Sequence, residues 1–320
     1  MTAPVRAPEV GAVVIGRNEG ARLIRCLQSL QGQVQQLVYV DSGSSDGSAA
    51  AARKLGAQVV DLDLSQPFTA ARARNAGLAE LDAACEFVQF VDGDCEVDPD
   101  WIATATVFLQ ADTQAAAACG RRRERFPETS VYNRLCDAEW DTPPGEAKAC
   151  GGDVLMRAAA VREAGGYRES LIAGEEPELC LRLRRRGWQI WRLDAEMTLH
   201  DAQMLHFGQW WRRSRRAGHA FAEGAALHGK GPERHWAAET RRALIWGAAL
   251  PAAIALAALI EPPLLLAALA YPAQAVRLSR RLGAERALFT VLGKFAEASG
   301  ALEFYWNRRR GRTRGILEYK

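Results

Sequence analysis

The residues best suited to chemistry are two aspartates separated by one glycine, Asp92-Gly93-Asp94, at the end of the apolar run Phe87-Val88-Gln89-Phe90-Val91. Such a run has the composition of a buried strand. Gly93 gives the chain freedom to turn, so that both carboxylates can converge. Two carboxylates that close repel each other unless a cation lies between them, and oxygen-only ligands at the carboxyl end of a strand favour Mg or Mn over Zn. A solvated acidic loop is the plain alternative for the triplet by itself. A second group of acids, Glu175-Glu176-Pro177-Glu178, opens a helix that continues through Leu179-Cys180-Leu181-Arg182-Leu183. Acids there stabilise the helix dipole, and one of them held at a sheet edge could equally serve as a general base. His200 stands alone in Leu199-His200-Asp201 and reads first as a hydrogen-bonded structural residue.

Short apolar segments alternate with helical ones around these residues. Strands are expected at 10–16, 37–40, 58–62 and 87–91, with helices at 21–30, 49–55 and 68–81 between them. This alternation predicts an α/β fold with a doubly wound, mostly parallel sheet, in which ligands sit outside the carboxyl ends of the strands. Three polar turns fall there: Arg17-Asn18-Glu19-Gly20, Asp41 through Gly47, and Asp92 through Cys95. The middle turn also reads as a strand-to-helix connection capped by Ser45 or Asp46. A helix from about 98 to 110 and a strand at 115–120 follow. Residues 121–149 read as an irregular excursion, 150–157 as a strand, 158–164 as a short helix and 188–193 as a further strand.

Nearly half of the 320 residues are apolar and a quarter charged, an ordinary globular composition, and the net charge of +3 does not argue for nucleic acid. The seven cysteines (26, 85, 95, 119, 136, 150 and 180) are scattered without a Cys-x-x-Cys pair, which argues against a disulfide framework or a zinc site and fits a reducing cytoplasm. The N-terminus, Met1-Thr2-Ala3-Pro4-Val5-Arg6, lacks the apolar core of a leader. Neither Gly-x-Gly-x-x-Gly after the first strand nor Gly-Lys-Thr/Ser is present, so dinucleotide and phosphate-cradle readings lose their support.

Over residues 9 to 215 the chain resembles glycosyltransferase family 2, the inverting nucleotide-sugar transferases of GT-A fold. The resemblance rests on an ordered set: Arg17-Asn18-Glu19, Val40 through Ser48, Ala73-Arg74-Asn75-Ala76-Gly77, Val91-Asp92-Gly93-Asp94, Gly151-Gly152 with Gly165-Gly166-Tyr167, and Glu175-Glu176 with Leu179. It implies a nucleoside-diphosphate sugar as donor, with Glu19 and Asp41 contacting base and ribose and Arg74 and Asn75 bordering the same pocket. It further implies Asp92 nearer the ribose, Asp94 on a divalent Mg or Mn ion, His200 as a further ligand, and Glu176 as catalytic base. Ser42, Cys95 and Glu176 stand where members of the family often carry aspartate or another acid. Gln209-Trp210-Trp211-Arg212-Arg213 only loosely matches the Gln-x-x-Arg-Trp element of processive synthases, and reads as readily as an amphipathic membrane-surface helix.

The C-terminal third differs in kind. Residues 243–260 carry no charge, and 262–276 add a shorter uncharged stretch after Glu261. Together they predict a helical hairpin at 243–276 that either spans a membrane or lies on it, with flanking arginines keeping both ends cytoplasmic. Residues 287–306 predict an amphipathic helix, and from Arg277 to Lys320 there are 11 Lys/Arg against 4 Asp/Glu, a tail able to meet anionic lipid.

The expected organisation is therefore a catalytic domain at 1–205 (nucleotide-sugar part 9–120, acceptor part 121–205), a basic helical connector at 206–242 and a membrane-associated region at 243–320. The expected function is metal-dependent inverting transfer of a sugar to a lipid-linked or cell-envelope glycan at the cytoplasmic face of the plasma membrane, with membrane lipids as partners and no nucleic acid. Two alternatives are a sugar-phosphate nucleotidyltransferase and a catalytically decayed, membrane-tethered nucleotide-sugar binding protein.

Overall fold

The computed structural model describes residues 9–312. The N-terminal segment through Arg6 and the end of the basic tail, Arg314 to Lys320, lie outside the described residues. Two compact units are present. One comprises the chain to Thr129 with Cys136–Ser170 and Glu175–Gln203; the other comprises Ser130–Leu135, Leu171–Gly174 and the chain from Met204 onward.

The first unit begins as the residue pattern implies. β1 (Val10–Gly16), β2 (Gln36–Asp41), β3 (Gln58–Asp61) and β4 (Phe87–Asp92) alternate with α1 (Ala21–Leu30), α2 (Ser48–Lys54) and α3 (Ala70–Glu80). β1 lies between β2 and β4, parallel to both, and β2 is parallel to β3. Val13, Val14, Val38, Val40, Val88 and Phe90 are fully buried, as parallel strands covered on both faces require. Then come β5 (Cys95–Val97), α4 (Trp101–Ala111), β6 (Ala115–Glu124), α5 (Val131–Trp140), β7 (Gly145–Glu146), β8 (Val154–Arg157), α6 (Ala158–Glu163), α7 (Glu175–Arg184) and β9 (Gln189–His200). The sheet order is β3-β2-β1-β4-β8-β6-β9-β5, with β7 also on β9. Beyond β4 the sheet is mixed: β8 runs antiparallel to β4 and β6, while β6 and β9 are parallel.

Residues 121–149 are not the irregular excursion expected. β6 runs on through Arg121-Arg122-Arg123-Glu124, and α5 and β7 follow. Three successive arginines hide the strand pattern because each finds a counter-charge in the folded chain: Arg121 meets Asp137 at 3.0 Å, Arg122 lies 3.4 Å from Asp153, and exposed Arg123 meets Glu196 on β9 at 2.6 Å. β9 likewise extends beyond the expected 188–193 to His200, through register shifts against β6, and the strand expected from Cys150 starts only at Val154.

The second unit is helical: α8 (Phe207–His228), α9 (Ala237–Leu244), α10 (Leu250–Ile260), α11 (Ala270–Leu282) and α12 (Ala284–Arg309). α8 and α12 approach through glycines. A methyl group on Gly218 would stand 2.0 Å from the Glu297 carbonyl oxygen, and one on Gly300 would stand 1.9 Å from that of Arg215. Arg215 and Glu303 pair across the same contact at 2.7 Å. Gly300→Ala is therefore expected to cost about 1–3 kcal/mol through overpacking, read as a lower denaturant midpoint with unchanged slope.

Residues 237–260 form one 24-residue helix, which among the described residues is the one long and apolar enough to cross a membrane. A π-type turn at Ile245–Ala249 interrupts its regular bonding. Its cause is local: Pro251 has no N–H to donate, Leu250 N–H bonds to the Ile245 carbonyl, and the Tyr271 hydroxyl donates to the Trp246 carbonyl at 2.7 Å. The expected hairpin partner does not form a second continuous apolar helix. Pro262–Leu269 is a 3₁₀ segment, and α11 ends in Arg280 and Arg281. Leu256, Leu259, Ile260 and Leu266 are exposed.

Candidate active site

The three expected turns do lie together at the carboxyl ends of β1, β2 and β4, because those strands are adjacent and parallel. The first two are laced to each other. Asn18, at φ 55°, donates its backbone N–H to Ser44 Oγ (2.9 Å) and accepts Ser45 N–H on its Oδ1 (2.8 Å). Buried Asp41 accepts the Gly43 and Ser44 N–H groups at 3.0 and 2.8 Å and the Tyr39 hydroxyl at 2.9 Å. Its carboxylate thus folds its own loop. The N-cap of α2 is Gly47 at φ 84°, not Ser45 or Asp46 as expected, and Asp46 just ahead of it accepts the Ser48 N–H at 3.0 Å. Glu19 pairs with Arg22 at 2.6 Å and lines an open groove of about 590 Å³ with Arg25, Arg125, Phe126, Asp201 and Gln203.

Asp92 sits in a chain of alternating charge. Arg74 Nη2 is 2.8 Å from Asp92 Oδ1, and Arg74 Nη1 is 2.6 Å from Glu175 Oε1. On its other side Arg122 Nη2 lies 3.5 Å from Asp92 Oδ2, and Arg122 Nε lies 3.4 Å from Asp153 Oδ2. Asp153 in turn accepts the Asp92 N–H (3.0 Å) and the Thr198 hydroxyl (2.9 Å). Arg74 is buried, which works against its charge, but Asp92 and Glu175 outweigh that and hold it cationic. Removing it takes the guanidinium from buried Glu175 and leaves Asp92 to Arg122. Arg74→Met is expected to destabilise the fold by about 3 kcal/mol, checked by chemical denaturation.

Asn75 closes a different contact. Its amide exchanges two 2.8 Å hydrogen bonds with the backbone of Tyr167 and donates to Glu169 at 3.0 Å. It pins α3 to the Gly165-Gly166-Tyr167 turn.

Gly93 is not at positive φ. What favours glycine is close approach: its N–H donates to the Ile15 carbonyl at 2.8 Å, and a Cβ would stand 3.1 Å from that same oxygen. The two aspartates therefore serve different neighbours. Asp92 faces the arginines. Asp94 is grouped with Cys95 and His200, whose ligating atoms lie within 4.8 Å of one another.

The sheet builds this second group. In register, His200 on β9 stands between Cys95 on β5 and Glu124 on β6, and Asp201 N–H donates to the Asp94 carbonyl at 3.1 Å. His200 Nε2 lies 3.3 Å from Asp94 Oδ2, and Nδ1 lies 3.4 Å from Glu124 Oε2. Burial lowers the His200 pKa, so the ring is neutral. A neutral imidazole has one N–H for two carboxylates, which leaves one ring lone pair facing an oxygen. A divalent cation bound by Asp94 and His200, with Glu124 orienting the ring from behind, resolves that repulsion. The residues present fit a metal. The donors grouped here are the Asp94 carboxylate, the His200 imidazole that the family resemblance implies, and the Cys95 sulfur, which was not expected.

Glu176, in the first turn of α7, is buried. Its Oε1 accepts the Cys150 N–H at 2.7 Å and the Cys150 and Cys180 thiols at 3.0 and 2.9 Å. Burial raises its pKa above the ordinary carboxylate value, the hydrogen bonds pulling the other way.

Four site residues had not been singled out from sequence: Arg122, Glu124, Trp140 and Asp153. Arg122 lies over the Trp140 ring at 4.8 Å, and Trp140 meets the His200 ring edge-on at 4.7 Å. Asp153 left one usable trace, a single acid directly ahead of the apolar strand Val154-Leu155-Met156.

The mixed sheet with its flanking helices matches the GT-A fold of solved glycosyltransferases. Residues 12–160, just under half of the chain, match the family model described as glycosyl transferase family 2. Among curated proteins it is 27% identical over 199 residues to the succinoglycan biosynthesis protein ExoA of Rhizobium meliloti, covering 57% of this chain and 60% of that protein. It is 27% identical over 215 residues to a pre-mycofactocin glycosyltransferase of Mycobacterium tuberculosis, covering 60% of this chain and 43% of that protein. The chain thus spans between two fifths and three fifths of the length of these two relatives. Among solved structures, mannosyltransferase PcManGT from Pyrobaculum calidifontis, in complex with GDP-Man and Mn2+, superposes with a TM-score of 0.68 at 20% identity, over 95% of this chain and 89% of that one. S. aureus TarS 1-349, in complex with UDP-GlcNAc, superposes with a TM-score of 0.53 at 15% identity, over 95% and 92%.

Proposed function

We propose that this chain is a metal-dependent inverting glycosyltransferase that moves a sugar from a nucleoside-diphosphate sugar to a hydroxyl of a lipid-linked or cell-envelope glycan. The observation that carries the reading is the sheet-built group of Asp94 and His200 beside the arginine-bracketed Asp92. A divalent ion held there neutralises the charge of a departing diphosphate. The His200 nitrogen moves the preference from Mg toward Mn, since Mg is satisfied mainly by oxygen. Arg74 and Arg122 bracket the Asp92 carboxylate and orient it toward the donor. Glu19 contacts the nucleotide directly, while Asp41 and Asn75 act through the loops whose backbone they hold. Glu176 takes the proton of the acceptor hydroxyl, and its raised pKa brings its basicity closer to neutral pH.

The catalytic domain covers 1–205, with the nucleotide-sugar part at 9–120 and the acceptor part at 121–205. Residues 206–242 form a basic connector, and 243–320 associate with the cytoplasmic face of the plasma membrane through the apolar helix 237–260. Support for that placement comes from the exposed leucines of the helix and from Arg241 and Arg242 in its first turns.

The test is a panel of nucleotide sugars incubated with full-length protein and Mn2+, reading thermal stabilisation and release of nucleoside diphosphate. One donor is expected to stabilise the fold and to be turned over only with metal present. Pyrophosphate release from a nucleoside triphosphate and sugar phosphate would overturn the reading.

A further inference from the structure

A second set of ligating atoms converges away from Asp94. Cys150 precedes β8, Glu176 opens α7, and Cys180 lies one turn further along the same helix. Cys150 Sγ and Cys180 Sγ stand 3.0 and 2.9 Å from the same Glu176 oxygen and 3.5 Å from each other. Sequence spacing hides the set, because the two cysteines are thirty residues apart and no Cys-x-x-Cys pair announces it.

The triangle has the right chemistry and nearly the right size. A tetrahedral ion with sulfur at about 2.3 Å and oxygen at about 2.0 Å separates its donors by about 3.5–3.8 Å. The sulfur–sulfur edge of 3.5 Å needs to open by about 0.3 Å and the sulfur–oxygen edges of 2.9 and 3.0 Å by about half an ångström. Glu176 and Cys180 are buried, whereas Cys150 is partly exposed and offers a way in. Burial pushes the Cys150 thiol well above its ordinary value. At Cys180 the hydrogen bond to Cys150 pulls down, yet burial and the Glu176 charge push the thiol up to about 11. Disulfide formation needs a thiolate first and is disfavoured. A thiophilic cation displaces the thiol protons as it binds.

We propose that Cys150, Cys180 and Glu176 form a binding site for a thiophilic divalent cation of the zinc class, which withdraws the Glu176 carboxylate from the acceptor and holds the enzyme inactive. The effect on turnover rests on Glu176 being the base; the binding does not.

The test titrates the full chain, in excess Mg2+, with Cd2+ and reads sulfur-to-cadmium charge-transfer absorption. A band saturating at one equivalent is expected, lost in the Cys150→Ala/Cys180→Ala double variant and kept in Cys95→Ala. Cys150→Ser and Cys180→Ser preserve size and a hydrogen-bond donor, and each is expected to weaken Cd2+ at least tenfold. Far-UV circular dichroism confirms that each variant is folded. Sugar transfer by the wild type is expected to fall at least tenfold at one equivalent of Cd2+, while the double variant keeps its own uninhibited rate. A band that survives in the double variant, or unchanged affinity in both serine variants, overturns the site. Binding at the pair without inhibition upholds the cation site and overturns Glu176 as base.

Discussion

Asp94→Ala is expected to lower kcat/KM for sugar transfer by about 10³-fold or more, while the far-UV spectrum and denaturant midpoint change little. The size follows from what the carboxylate does: a metal acting on phosphoryl oxygens supplies several kcal/mol of transition-state stabilisation, at 1.36 kcal/mol per tenfold. The fold should tolerate the change because Asp94 is anchored through its backbone, its carbonyl accepting the Asp201 N–H at 3.1 Å. The variant also removes one of the two carboxylates flanking His200 Nε2 and Nδ1, relieving the lone-pair conflict. Calorimetric titration with Mn2+ separates the causes. Loss of metal affinity in parallel with activity fits the proposal, and full sugar transfer by the variant would sink it.

Glu176→Gln is expected to lower kcat by 10²–10⁴-fold, the usual range for a lost general base, with nucleotide-sugar binding retained. The pH profile adds a sign. A base works only when ionised, and burial holds the Glu176 pKa above its ordinary value. The wild-type rate should therefore rise with pH through that elevated pKa and level off above it, and the limb should vanish in the glutamine variant. Stability runs the other way. The native state holds this proton more tightly than the unfolded chain does, so the contribution of Glu176 is full below the unfolded carboxyl pKa and is lost as pH rises through the folded one. A wild-type profile with its limb in place but unchanged by Glu176→Gln would assign the base elsewhere.

The half of the site that follows apolar strands was legible in the sequence, because β1, β2 and β4 announce themselves by composition and their polar ends must then fall together. Asp92 and Asp94 were singled out that way, whereas Glu176 stood out as an acid opening a helix and took its role from the family resemblance. The other half was not legible. Arg122 and Glu124 sit on a strand whose outward charges imitate a loop, and only the long pairing of β6 with β9 turns that stretch into structure. The roles of Asp41 and Asn75 also needed coordinates, since a loop tie and a ligand contact call for the same residue types. Gly93 was read as the turn that lets both carboxylates converge; in the structure the two aspartates face different neighbours, and what marks this glycine is its close approach to the Ile15 carbonyl.

His200 sits in the row Glu124–His200–Cys95 across three strands, and this makes the candidate metal site a matter of parity. Strand side chains alternate faces, so removing one residue between the last β6–β9 irregularity and His200 would send the imidazole to the opposite side, whereas removing two would restore its direction at a shifted height. Length change along β9 is thus tolerated or rejected by whether its count is even. Insertions that keep the site should collect in the turns flanking this strand rather than within it.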